Sequence, residues 1–185
     1  STLQLDSVLG QFLERIRDVI VYEGASIFSL DGDVLHGRAY RGPLPESGFL
    51  SLQYSARNPI DRQIIATGRP LILPDLHADT PVARDFRALL SSEFPGEYAH
   101  IRSWMRVPLS VKERVIGMLT LHHPDAGFYA PHQAELAMAF ADQAAVAMEN
   151  ARLFEATQRR AEQFRRPARE IDDPRLLFAE RPSNV

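Results

Sequence analysis

The chain contains no cysteine at all. That removes disulfides, thiolate metal sites, cysteine nucleophiles and thioether-linked chromophores together. Long apolar runs are missing too: no stretch of ~18 apolar residues and no basic-then-apolar leader occurs, so a membrane span or secretion signal in this segment is not expected. Excess positive charge is likewise absent. The formal net charge is -3 and the two signs alternate along the chain, whereas a nucleic-acid partner calls for clustered Lys and Arg. What remains is a chain of 185 residues, 45% apolar, suited to one domain with flanking helices that folds without a metal and resides in the cytoplasm. It opens on Ser1 instead of methionine, which suits a piece of a longer protein.

From Leu5, the residues Val8, Leu9, Phe12, Leu13, Ile16, Val19 and Ile20 recur every three or four positions. This spacing predicts an amphipathic helix over residues 1–22. The period then shortens. Ala25 to Leu30 and Val34 to Tyr40 flank Asp31-Gly32-Asp33, a hairpin signal because these turn residues tolerate positive φ. Leu50 to Tyr54 reads as a further strand. Asn58, Pro59 and Gly68 bracket a short helix as N-cap, first helical residue and C-cap, and residues 70–74 form an edge-like extended segment between two prolines. Asp79-Thr80-Pro81 opens another helix, broken at Phe94-Pro95-Gly96.

A second hairpin follows, from Ser103 to Val111 and from Val115 to His122. Strand alternation places Trp104 and Arg106 opposite Ser103, Met105, Val107 and Leu109, and sets Met118, Thr120 and His122 opposite Gly117, Leu119 and Leu121. Residues 131–164 contain no glycine, and no proline after Pro131, so they predict one helix ~50 Å long. Leu136, Phe140, Gln143, Ala147, Asn150, Phe154, Thr157, Ala161 and Phe164 follow the four-three spacing of a coiled-coil seam. The alanines, with Leu136, Phe140 and Val146, are also suited to covering the sheet. Ala130 is a weak N-cap for this helix. Past Pro167 the charged tail reads as a linker.

The words Ala25-Ser26-Ile27-Phe28, Ala66-Thr67-Gly68-Arg69-Pro70 with Pro74-Asp75, Arg102-Ser103 with Val107-Pro108-Leu109, Val115-Ile116-Gly117-Met118-Leu119 and residues 141–153 resemble, in order and spacing, the GAF domain family. The resemblance implies an α+β fold: an antiparallel sheet of about six strands, with N- and C-terminal helices on one face and a pocket with short helices on the other. It divides the chain into an N-terminal helix (1–22), a GAF core (23–154), a helix extension or coiled coil (155–166) and a linker or tail (167–185). It further implies a non-enzymatic signal-input module of a larger signal-transduction protein, such as a two-component sensor histidine kinase. Such a module acts as a homodimer through its terminal helices, binding an unknown small molecule and acting on an output domain of the same chain. A ligand-free dimerisation module is the alternative.

No cofactor is expected. A covalent bilin and thiol-based sulfoxide reduction both need cysteine, and Asn58 is followed by Pro59 where the cyclic-nucleotide GAF signature has lysine. A haem or metal is disfavoured because the adjacent His122 and His123 point to opposite faces of a strand. A hydrolase triad built on Asp75, His77 and a serine lacks a nucleophile elbow. The candidate pocket therefore comprises Trp104, Arg106, Thr120 and His122 on one strand face, with Phe86 and Tyr98 as lid and Asp75 and His77 in the adjacent loop. Such a mix suits a small aromatic or anionic ligand. The candidate dimer helix presents Phe140, Ala147, Asn150, Phe154, Thr157 and Ala161.

Overall fold

A computed structural model describes residues 2–93 and 96–170. The central element is an antiparallel sheet of six strands, β1 (Gly24–Asp31), β2 (Val34–Arg41), β3 (Gln53–Ser55), β4 (Leu71–Leu73), β5 (Ser103–Val111) and β6 (Arg114–His123), in the spatial order β3-β2-β1-β6-β5-β4. Two helices, α1 (Thr2–Arg17) and α5 (Pro131–Glu170), cover one face; α2 (Glu46–Leu50), α3 (Pro59–Thr67) and α4 (Pro81–Glu93) belong to the other. The chain thus has the expected α+β architecture.

Two tight hairpins organise the sheet. β1 pairs with β2 across Gly32-Asp33, where Gly32 has φ 57°. β5 pairs with β6 across Lys112 and Glu113, both at positive φ (49° and 64°), as a two-residue turn matched to strand twist requires. Bulges at Ile27/Phe28 and Leu109/Ser110 shift the register and exchange the faces to which later residues point. Leu35 and Ala39, an even number of positions apart, accordingly enter different cores.

Each sheet face buries its own core. On the helix side, Leu9, Leu13 and Ile16 of α1 and Ala134, Ala137, Ala141, Ala144, Ala145 and Met148 of α5 meet Ile27, Met105, Val107, Leu119 and Leu121. The small residues of α5 let its backbone lie close to the sheet. The opposite core is aromatic, built from Phe28, Tyr40, Phe49, Tyr54, Phe86 and Trp104. Phe28 packs on Phe49 and Tyr54 at centroid distances of 4.9 and 5.3 Å.

The local signals around α3 are met. Asn58 accepts from the Asp61 N–H at 2.9 Å, Pro59 is the first helical residue and Gly68 caps the end at φ 61°. At α5, the weak N-cap Ala130 is compensated because Gln133 Oε1 accepts the Ala130 N–H at 2.8 Å, half of a capping box.

Several expectations differ. The first helix stops at Arg17, and residues 50–54 divide between the end of α2 and β3. The seam residues Leu136 and Phe154 and the neighbouring Val146 do not cover the sheet; Val146 is 56% and Phe154 58% exposed. They lie away from the face of α5 that meets the sheet, which is built from alanines with Met148. Asn150, Thr157 and Ala161 are exposed, while Phe140 and Ala147 are half-buried. The helix also continues past Pro167 to Glu170. Phe94-Pro95, the Phe164 side chain and residues 171–185 of the expected tail lie outside the described residues.

Candidate functional site

The aromatic face encloses a cavity of about 40 Å³ between the sheet and α4. Strand alternation supplies its floor: Ser26 and Phe28 from β1, Trp104 and Arg106 from β5, Thr120 and His122 from β6. Direct pairing of Trp104 with His122 and of Arg106 with Thr120 sets these side chains side by side. The roof is Phe86, Leu89 and Leu90, spaced three and one apart on α4, with Tyr98 and Ile101 from the following loop. Phe86 meets the Trp104 ring at 4.3 Å.

Six predicted residues, Trp104, Arg106, Thr120, His122, Phe86 and Tyr98, therefore converge on one cavity. Asp75 and His77 do not line it. The Asp75 carboxylate turns outward to Arg102, accepting from Nε at 3.0 Å and from Nη2, and also accepts the His77 N–H at 2.9 Å. The hydrogen bond from Arg102, aided by that from His77, holds its pKa at about 2. It fastens the loop it begins, as aspartates at such positions do. His77 Nε2 lies 3.0 Å from the Ala99 carbonyl, tying down the segment that carries Tyr98.

Arg106 belongs to a network that the sequence does not disclose. Its Nε donates to Thr120 Oγ1 at 2.9 Å, Nη1 to Asp61 Oδ1 and Nη2 to the Tyr54 hydroxyl. Arg106 is 4% and Asp61 0% exposed. The second Asp61 oxygen accepts from Asn58 Nδ2 at 2.6 Å. Burial opposes the guanidinium charge, but Asp61 and Tyr54 outweigh it and hold the arginine pKa above its ordinary value. The cation also lies 5.2 Å from the Trp104 centroid and 5.4 Å from that of Phe28, within cation–π range.

Sequence reasoning misses Ser26, Phe28, Leu89, Leu90 and Ile101 of the lining, and Asp61, Tyr54 and Asn58 of the network. The available signal was that a fully buried arginine demands a buried carboxylate. Asp61 reads locally as an ordinary acid in a helix first turn, favoured there by the dipole.

His122 contrasts with Arg106. It is buried, and neither ring nitrogen has a hydrogen-bond partner; Glu23 Oε2 stands 3.7 Å from Nδ1. Burial, with His100 and His123 as lesser causes, lowers its pKa to about 3, so the imidazole is neutral near pH 7. Its ring lies over Gly24, whose missing Cβ would fall 2.2 Å from Nε2, and meets the Tyr98 ring edge-on at 5.3 Å. His123 points to the other face and stacks on Phe128 at 3.6 Å. Among the described residues no cluster of three or more His, Asp or Glu could hold a metal ion, and no helix is long and apolar enough to cross a membrane.

A six-stranded antiparallel sheet with terminal helices on one face and a roofed aromatic cavity on the other defines a small α+β domain. The GAF domain model matches residues 4–148, and the chain belongs to that family. Solved structures agree on the fold. The GAF domain/HD domain protein from Geobacter sulfurreducens superposes with TM-score 0.63 at 18% identity, over 80% of this chain and 94% of that one. A domain of a putative two-component sensor histidine kinase from Sinorhizobium meliloti 1021 gives 0.60 at 19% identity, over 83% and 97%. The type II free methionine-R-sulfoxide reductase from Thermoplasma acidophilum gives 0.63 at 11% identity, over 80% and 94%. No curated protein matches the chain by sequence.

Proposed function

We propose that this GAF domain is a non-enzymatic signal-input module of a larger signalling protein. It binds a small molecule non-covalently in the aromatic cavity and transmits through α5 helices paired in a homodimer, acting on an output domain of the same chain in the cytoplasm. The observation that carries this reading is the convergence of Trp104, His122, Phe86 and Tyr98, from β5, β6, α4 and the loop after α4, on a single roofed cavity. The neighbours of like fold include domains of a sensor histidine kinase and of a methyl-accepting chemotaxis protein, which supports a signalling context. Without cysteine, the thiol chemistry that resemblance associates with sulfoxide-reducing relatives has no residue to perform it.

The dimer is supported by α5 itself. Its outer face carries Leu136, Val146, Leu153 and Phe154 in exposed positions, and a groove between Leu5 and Val8 of α1 and Ala147, Ala151 and Phe154 of α5 adjoins them. A second copy would bury this apolar surface. For transmission, the ligand must bind two arrangements of α4 and the helices unequally.

A second reading, a ligand-free dimerisation module, is favoured by one observation: at about 40 Å³ the cavity has room for about three water molecules at ~10–15 Å³ each. A thermal-shift screen of small molecules, paired with sedimentation, separates the two. A sensor gives ligands that raise Tm by mass action. A filled module gives none while still sedimenting as a dimer.

A further inference from the structure

The ligand chemistry open to the cavity depends on which of its polar groups are free to meet a ligand. No Asp, Glu, Asn or Gln is among the described residues lining it. Its cation is matched: Arg106 gives three of its five N–H bonds to Thr120, Asp61 and Tyr54, and Asp61 neutralises the charge. The remaining N–H bonds add donors without adding net charge. The Tyr98 hydroxyl is bonded to that of Tyr40. His122 offers the cavity only carbon, since both ring nitrogens lack accessible surface and lie against Gly24 and Glu23. Ser26 is different. Ala25 and Ile27 on either side of it enter the helix-side core, so Ser26 points to the cavity floor, where it pairs across strands with Thr120. Its Oγ carries no hydrogen bond among the described residues and, unlike the His122 nitrogens, keeps accessible surface. Thr120 Oγ1 accepts from Arg106 and retains its own hydrogen to donate. The Trp104 indole N–H is likewise without a partner among the described residues.

We propose that the cavity selects an uncharged, ring-sized molecule carrying an acceptor oxygen, and that the Ser26 hydroxyl is the group that holds that oxygen. The inference rests on reading the cavity as a ligand site and names the chemistry of its ligand. The groups left free are chiefly donors, which calls for an acceptor on the ligand. An anion, stripped of its hydration, would find no uncompensated cation in return. The flat faces of Phe28, Phe86 and Trp104 favour a ring. The present volume of about 40 Å³ falls below the ~150 Å³ that admits benzene in an engineered apolar cavity, so the half-buried Leu89 and Leu90 of the roof must yield on binding. Both lie on α4, which belongs to no strand ladder. Its displacement breaks no sheet pairing, and this connects occupancy to a movable helix.

Trp104 is the single tryptophan of the chain and lines the cavity, so its emission reports occupancy. The test titrates the full chain near pH 7 with benzyl alcohol, with toluene and with benzoate, reading Trp104 emission and Tm together. Benzyl alcohol should alter the emission and raise Tm, with benzoate at least about tenfold weaker. In Ser26→Ala the affinity for benzyl alcohol should fall about three- to tenfold relative to that for toluene, as loss of one hydrogen bond implies. Benzoate binding as tightly as the alcohol, or an alcohol-to-toluene ratio unchanged in Ser26→Ala, overturns the inference and leaves the cavity reading standing. No response to any probe overturns both. Should Ser26→Ala not fold, Ser26→Cys, which keeps the side-chain shape and weakens the hydrogen bond, replaces it with the same expected direction.

Discussion

Removing the Asp61 carboxylate tests whether Arg106 is held as a buried ion pair. In Asp61→Ala the guanidinium keeps its burial and its bonds to Thr120 and Tyr54 but loses the counter-charge it pairs with. Asn58 Nδ2 loses its 2.6 Å acceptor at the same time. Breaking a buried pair from one side costs ~3–5 kcal/mol, a large share of the ~5–15 kcal/mol that stabilises a domain. Arg106→Met, which leaves Asp61 unneutralised, should cost a similar amount. The double variant Asp61→Ala/Arg106→Met removes both charges, so it should be no less stable than either single variant. The coupling should then be at least ~2 kcal/mol. Urea denaturation of all variants, with m-values compared to confirm a common unfolding transition, measures this. A cost below ~1 kcal/mol for Asp61→Ala, or single costs that simply add, would refute the buried-pair account.

Three further outcomes follow from the geometry. Because His122 has a folded pKa of about 3 against an ordinary value of 6.5, the unfolded chain takes up a proton that the folded protein refuses. Stability should fall as pH drops through that window, by up to ~1.4 kcal/mol per unit. Asp75 acts in the same direction only from 3.8 down to about 2, whereas Asp6, raised by burial, acts the other way, so the histidine's share between about pH 6 and 4.5 is the difference from His122→Phe, whose slope there in urea titrations should be flatter. Glu113→Gly should add ~0.5–1 kcal/mol of stability, since glycine accepts the positive φ at this turn without the Cβ penalty; a loss in thermal unfolding would contradict the assigned turn. In sedimentation, Phe154→Glu should shift the proposed dimer toward monomer, while Asn150→Leu should tighten association and blur its stoichiometry. Unchanged behaviour of both variants would reject the α5 seam.

Period-two alternation was enough to place Trp104 and Arg106, and Thr120 and His122, on one face, because β5 and β6 pair directly and the bulge at Leu109/Ser110 lies outside those four residues. Phe86 was legible from helical spacing. What could not be read was contact across distance: Asp61 lies 45 positions before Arg106, and its local role as a first-turn acid hid its global one. Asp75 and His77 were misplaced for a similar reason. Their proximity to the cavity in sequence was real, but Arg102 draws the carboxylate outward. On α5, one apolar pattern served two surfaces. Only the packing shows that the alanines meet the sheet while Leu136 and Val146 face away.

The most direct test of the central claim is a crystal structure of the chain grown with a small aromatic probe such as benzyl alcohol, determined together with a titration read by the emission of Trp104, the single tryptophan. The ring should lie in the cavity between Trp104 and Phe86, with α4 shifted outward at Leu89 and Leu90. A Tm increase accompanied by density elsewhere on the molecule, with Trp104, His122 and α4 unmoved, would contradict it.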